Sequence, residues 1–163
     1  MPKLDTTDLA ILKMLQTDAR LTIKEMAAAL HLSTTPIFER IKRMDRQGVI
    51  ERYVAILNQR LLGKKLTAFI DISMKEHSKD AIEGFVNEVT NYPEVMECHH
   101  VTGESDFHLK VVMEDVEAYN QFVLDKLSTV PNIGKVETRF SLSERKRTNV
   151  LSLDLDTVQR STL

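Results

Sequence analysis

The sequence predicts an α+β chain of two modules: three short helices with a β-wing, then a sheet domain of order βαββαβ. Apolar residues recur at helical spacing through the first fifty residues, and at period two beginning with "LTAFIDISM". Gly48 and Gly63 supply a helix stop and a hinge between the two regimes. Charge divides the same way. Residues 1–60 hold 10 Lys/Arg against 7 Asp/Glu, while residues 61–163 hold 12 against 17, within a net charge of −2. A basic front and an acidic back point to different partners for the two modules.

The 163 residues are 42% apolar and 28% charged, a globular balance with material for two modest cores. No stretch approaches the roughly 18 apolar residues of a membrane span, and "MPKLDTTD" lacks the apolar region of a signal peptide. Cys98 is the single cysteine, so no internal disulfide can form and no cysteine-based zinc cage is supported. These features lead to the expectation of a cytoplasmic protein with no membrane partner.

Taken in order, "LDTTDLAILKMLQTD" reads as a helix, with Asp5 as N-cap, Asp8 three residues on, and a stripe of Leu9, Ile11, Leu12 and Leu15. Thr22 and Glu25 have capping-box spacing, which predicts a second helix from about Ile23 to Leu30. After a tight turn at His31 and Leu32, Ser33 is placed to cap a third helix. Pro36 falls in its first turn and Gly48 stops it. "VIERYVAIL" is β-branched and aromatic and reads as the strand or hairpin of a wing. "NQRLLGKK" is a linker.

In the second module, "LTAFIDISM" alternates as a strand, with Leu66, Ala68, Ile70, Ile72 and Met74 on one face. "SKDAIEGFVNEVTNY" is a helix. "EVMECHHVT" and "FHLKVVME" are strands joined by "GESD". "DVEAYNQFVLDKLSTV" is a helix and "NIGKVETRFSLS" the last strand. This is the ferredoxin-like split arrangement. "TNVLSLDLDTVQRSTL" reads either as an added edge strand or as a frayed tail. The domains so drawn are 1–60, 61–148 and a tail of 149–163.

On a helical wheel, Ile37, Ile41 and Met44, with Phe38 beside them, form the core side of the third helix. Thr35, Glu39, Lys42, Arg43 and Arg46 fall opposite. A helix pair with the small Ala27 at its crossing and Ile37 as anchor presents the second helix to the major groove. There side chains reach base edges and cations reach phosphate. The DNA-contacting candidates are Ser33, Thr34, Thr35, Pro36, Glu39, Arg40, Lys42, Arg43 and Arg46. Three such charges alone would fit a solvated face equally well; the capped pair and the following wing favour the groove.

In "VTGESDF", Gly103 permits a sharp turn and a close ligand approach. Turn N–H groups can hold a carboxylate and Asp106 an ammonium, with Thr102, Glu104 and Ser105 alongside. These groups suit the two ends of a free amino acid, and they also suit an ordinary polar hairpin. Cys98 and His100 share one face of their strand and His99 the other. Two ligands do not make a metal site, and none is expected. There is no nucleophile triad, phosphate loop or paired acid/base site, so no catalytic residue is assigned.

"LDTTDLAILKMLQTDARLTIKEMAAALHLSTTPIFERIKRMDRQGVIERYVAILN" resembles the winged helix-turn-helix of the leucine-responsive/asparagine-operon (Lrp/AsnC, feast/famine) regulators. "ECHHVTGESDFHLKV" resembles that family's effector-module run, in the expected order and separation. One departure is His31, where the family often has Gly; slight strain is expected at that turn. The resemblance covers roughly residues 4–148. It implies a transcription regulator with a double-stranded DNA operator, an amino-acid effector, no cofactor, and a homodimer assembling to an octamer or similar. Carried across, the effector-response positions are His100, Asp106, Val116, Ser128, Phe140 and Ser141. An uncovered sheet face holding Phe69, Cys98, His100 and Val112 gives an independent reason for pairing. Two other readings stand beside this one: an enzyme similar to the sirohaem decarboxylases, which the adjacent His99 and His100 suggest, and an effector module with a vestigial DNA domain.

Overall fold

The computed structural model describes residues 3–154 and divides into two compact units. One comprises residues up to Ile56 together with the segment from Lys146; the other is Leu57–Arg145.

The first unit has three helices: α1 (Thr6–Thr17), α2 (Ile23–Ala29) and α3 (Thr34–Arg46). Asp5 and Asp8 form a reciprocal capping box on α1, and Thr22 and Glu25 form another on α2. Leu9, Ile11, Met26, Ala27, Ile37 and Met44 build the core, each at most 4% exposed. Burying one such large side chain stabilises by about 1.5–3 kcal/mol. Between α2 and α3, His31 adopts a φ of 54°, and the Leu32 N–H reaches back to the Ala27 carbonyl at 2.9 Å. The turn therefore uses the left-handed residue that the sequence placed there. Gly48, at φ 69°, closes α3 in the same way.

Two readings of this unit change. Phe38 is 45% exposed and is no core residue; the Lys42 ammonium lies 5.6 Å from its ring centroid. "VIERYVAIL" makes no strand: it pairs with no segment among the described residues, and Tyr53, Val54, Ile56 and Leu57 are exposed. Tyr53 does return to α3 through a 3.2 Å hydrogen bond from its hydroxyl to Asp45. Burial and that carboxylate push the phenol pKa up to about 12.

The C-terminal segment is neither edge strand nor frayed over its described part. The Gln16 side-chain amide accepts from the Leu151 N–H at 2.6 Å and donates to the Leu151 carbonyl at 3.3 Å, and Leu153 packs on the helical core. Residues 155–163, the remainder of the expected tail, lie outside the described residues.

The second unit is β1 (Leu66–Met74), α4 (Lys79–Val89), β2 (Val95–His100), β3 (Phe107–Met113), α5 (Val116–Asp125), a 3-10 turn (Leu127–Thr129) and β4 (Ile133–Phe140). The sheet runs β2-β3-β1-β4, with every neighbouring pair antiparallel. Ala68, Ile70, Ile72, Phe107, Leu109 and Val111 face the helices and pack with Phe85, Val89 and Phe122. The opposite face carries Phe69, Asp71, His108, Lys110 and Arg139. Asp71 accepts from His108 Nδ1 at 2.7 Å and pairs with Arg139, while Lys110 pairs with Glu97 at 2.7 Å.

Cys98 and His100 do not belong to that open face. A bulge between Val95 and Glu97 shifts the alternation of β2. Val95 and Cys98 therefore sit opposite Val111 and Leu109 and both pack on the helix side, with His100 stacked on the core ring of Phe107 at 4.8 Å.

Candidate functional site

The α3 surface is built by what its first turn lacks. Helices α1, α2, α4 and α5 each have a side-chain cap hydrogen bond, and α3 has none. Ser33 stands at the N-cap with extended backbone, as expected, but its hydroxyl makes no cap bond. Pro36 removes one of the two possible donors. A cap hydroxyl bonds the N–H two or three positions into the helix, and proline at the third position has none to give. The exposed Ser33, Thr34 and Thr35 thus stand at a helix end whose first N–H groups are open, the positive end of the helix dipole. Thr34, Thr35 and Phe38 line an open cleft of about 530 Å³ with Thr22, Ile23 and Lys24 of the preceding helix.

The basic residues of α3 separate into two groups. Lys42 and Arg46 are exposed on the side shared with Thr35 and Glu39. Arg40 and Arg43 turn toward α1. Arg40 Nη1 lies 2.8 Å from Asp8 Oδ1 and 2.6 Å from Asp5 Oδ2; Arg43 Nη2 lies 2.5 Å from Asp8 Oδ2. Arg43 leans from the solvent side of the wheel toward Asp8, which is only 1% exposed, and its own side chain stays 38% exposed. The hydrogen bonds that Arg40 donates to Asp8 and then to Asp5 raise its pKa above the ordinary arginine value. Asp8 reads from sequence as a capping partner; its second role spans 32 and 35 residues, beyond any local pattern.

The turn Val101–Asp106 holds together by its own polar groups. The Val101 N–H donates to the Asp106 carbonyl, and the Asp106 N–H to Ile72, each at 2.9 Å. Asp106 Oδ2 accepts from the Met74 N–H at 2.7 Å, and Oδ1 faces His77 Nε2 at 3.0 Å. The Met74 N–H, against the opposing effect of burial and with help from His77, holds this carboxyl below its ordinary pKa. Gly103 has φ 124° with open space where a Cβ would stand, so conformation and not crowding requires glycine. Thr102, Gly103 and Glu104 are exposed. Among the described residues, no hydrogen bond is made by the N–H groups of residues 102–105.

The other effector candidates do not gather around this turn within one chain. Phe140 pairs with Ala68, the Ser141 N–H donates to Thr67, and Val116 follows the far end of β3. Some five residues of β1 separate them from Ile72, on the order of 16 Å. Ser128 lines a cleft of about 460 Å³ with Lys75, Asn132 and the apolar Val123, Val130 and Ile133. Lys75 and Asn132 carry no sequence signal and emerge from the fold alone. Among the described residues, no three His, Cys, Asp or Glu side chains converge as a metal site would need.

Residues 4–51 match the family model described as winged helix-turn-helix DNA-binding, and residues 67–151 match the Lrp/AsnC ligand binding domain. The chain is 33% identical to transcriptional regulator AzlB of Bacillus subtilis, covering 93% of this chain and 96% of that one. It is 35% identical to the leucine-responsive regulatory protein of Escherichia coli K12, covering 91% and 90%. A Neisseria meningitidis transcriptional regulator, solved as a complex with L-Met, superposes with a TM-score of 0.88 at 36% identity, covering 96% of this chain and 99% of that one.

Proposed function

Since the chain belongs to the Lrp/AsnC family of transcriptional regulators, we propose that it reads operator DNA with the solvent side of α3 and senses an amino acid through the sheet unit. The family is one of regulators and not of enzymes, which sets the decarboxylase reading aside. The observation that carries the DNA reading is the α3 surface. An N-terminus with no side-chain cap, and three exposed hydroxyl residues without a hydrogen bond among the described residues, stands beside two exposed cations, Lys42 and Arg46. Open N–H groups and hydroxyls suit phosphate, Glu39 and Thr35 suit base edges, and the cations suit the backbone. A vestigial helix has no reason to keep these groups exposed.

For the effector, the turn supports a division of labour. The N–H groups of residues 102–105 take the carboxylate, and the exposed Glu104 takes the ammonium. Asp106, already engaged by Met74 and His77, shapes the loop. One named relative is called leucine-responsive and another was solved with L-Met, so an aliphatic or thioether amino acid is the first to try. We infer a cytoplasmic homodimer that assembles further, because the apolar segment Tyr53–Leu57 and the Phe69 face are surfaces a second copy would cover. No described helix is long and apolar enough to cross a membrane.

The test is selection of duplexes from a random library by the full-length protein, followed by calorimetric titration of the twenty amino acids. Recovery of a preferred sequence, with one or more amino acids binding, is the expected result. Failure to enrich any sequence contradicts the DNA reading.

A further inference from the structure

We propose that Asp8 is a specificity-determining positioning residue for DNA recognition, an internal anion that fixes α3 and withholds Arg40 and Arg43 from phosphate. This rests on the DNA reading above and goes beyond it. Asp8 is the one charged side chain fully buried among the described residues. Its Oδ2 accepts from the Asp5 N–H at 3.0 Å and from Arg43 at 2.5 Å, and its Oδ1 from Arg40 at 2.8 Å. The two arginines lie three residues apart on α3, so one carboxylate grips the helix at two heights. That grip defines both the rotation and the axial position of α3 against α1, and hence which side chains point at bases.

The same grip selects the free charge. A guanidinium donates to a carboxylate with the fork it would offer a phosphate, so Asp8 competes directly with the DNA backbone. The Arg43 Nε is buried and has no hydrogen-bond partner among the described residues, while the side chain as a whole stays 38% exposed, so its Nη2 end is held at Asp8 within reach of the surface. Lys42 and Arg46 remain exposed. Sequence-independent affinity scales with the cations that reach phosphate. Holding two of four in reserve lowers that background while leaving base contacts in register.

The experiment uses full-length protein, a duplex recovered by selection with the wild type, and a shuffled duplex of the same composition. Fluorescence anisotropy reads affinity between about 50 and 200 mM salt. Asp8→Asn is expected to tighten binding to the shuffled duplex and to steepen the log–log salt slope by about 0.9 per released arginine. The ratio of selected to shuffled affinity should fall about tenfold or more. Arg43→Gln should lower the ratio without changing the slope, whereas Lys42→Gln should flatten the slope by about 0.9. If Asp8→Asn fails to fold by circular dichroism, the contrast between Arg43→Gln and Lys42→Gln decides. Arg43→Gln flattening the slope as much as Lys42→Gln would overturn the proposal, as would a folded Asp8→Asn with unchanged slope and ratio. A wild-type protein that selects no duplex would instead remove the reading beneath it.

Discussion

The start of α3 and the turn Val101–Asp106 hold similar inventories: two or three hydroxyls, a carboxylate nearby, a run of backbone N–H groups. They engage them in opposite ways. At α3 the carboxylates Asp5 and Asp8 bind arginines, while the Ser33 hydroxyl and the helix N–H groups stay open. In the turn the carboxylate Asp106 serves the loop itself, clamping the end of β1 through Met74, and the N–H groups of residues 102–105 stay open. In both places the residue that looks most like a ligand contact by type, Arg43 or Asp106, already has partners within the chain. The groups left to bind are less conspicuous. Tertiary engagement, not residue type, decides what a site can offer.

The largest effect should come from removing the free cations. Lys42→Ala with Arg46→Ala is expected to weaken DNA binding on the order of 10- to 100-fold at moderate salt and to reduce the log–log slope by about 1.8. Unchanged anisotropy titrations would dissolve the contrast at its α3 end. Next is Asp106→Asn, expected to cost about 1–2 kcal/mol at neutral pH, because the Met74 N–H loses its charged acceptor. Its folded pKa is lowered, so the contribution is fully present above the ordinary aspartate value of about 3.9 and is lost as pH falls through the lower folded value. Thermal midpoints of the wild type and Asp106→Asn should therefore converge as the pH falls below the ordinary aspartate value. Amino-acid affinity should change little; a large affinity loss with stability intact would make Asp106 a ligand contact and break the comparison at its other end.

The smallest effect sharpens the argument about caps. Ser78 accepts from the Ala81 N–H, whereas Ser33 makes no cap bond. Ser78→Ala should cost about 1 kcal/mol and Ser33→Ala less than about 0.5 kcal/mol in urea unfolding. DNA affinity should fall only for Ser33→Ala.

Local features were legible because their partners lie within a few residues. The capping boxes of α1 and α2, the stop at Gly48, the left-handed His31 and the βαββαβ order all follow from short-range spacing. The missing Ser33 cap was legible in part, since Pro36 at the third helical position removes one of the two possible donors. Three features were not. The Asp8 clamp joins residues 32 and 35 apart. The bulge in β2 reverses a parity that "VMECHH" does not fix. The wing segment has the composition of a strand, but composition cannot supply a neighbour to pair with. Of the effector candidates, residues 102–106 share one turn, while Val116, Phe140 and Ser141 lie at the other end of the sheet.

The account's central claim is that occupancy of the sheet unit is read out at α3. Linkage requires the two affinities to change reciprocally and by the same factor. The direct measurement is DNA affinity by anisotropy with and without a saturating amino acid found by calorimetry, paired with amino-acid affinity with and without saturating selected duplex. The expected result is a shift of about fivefold or more, equal in the two directions. A binding amino acid that leaves DNA affinity unchanged, with DNA leaving amino-acid affinity unchanged, would contradict the claim.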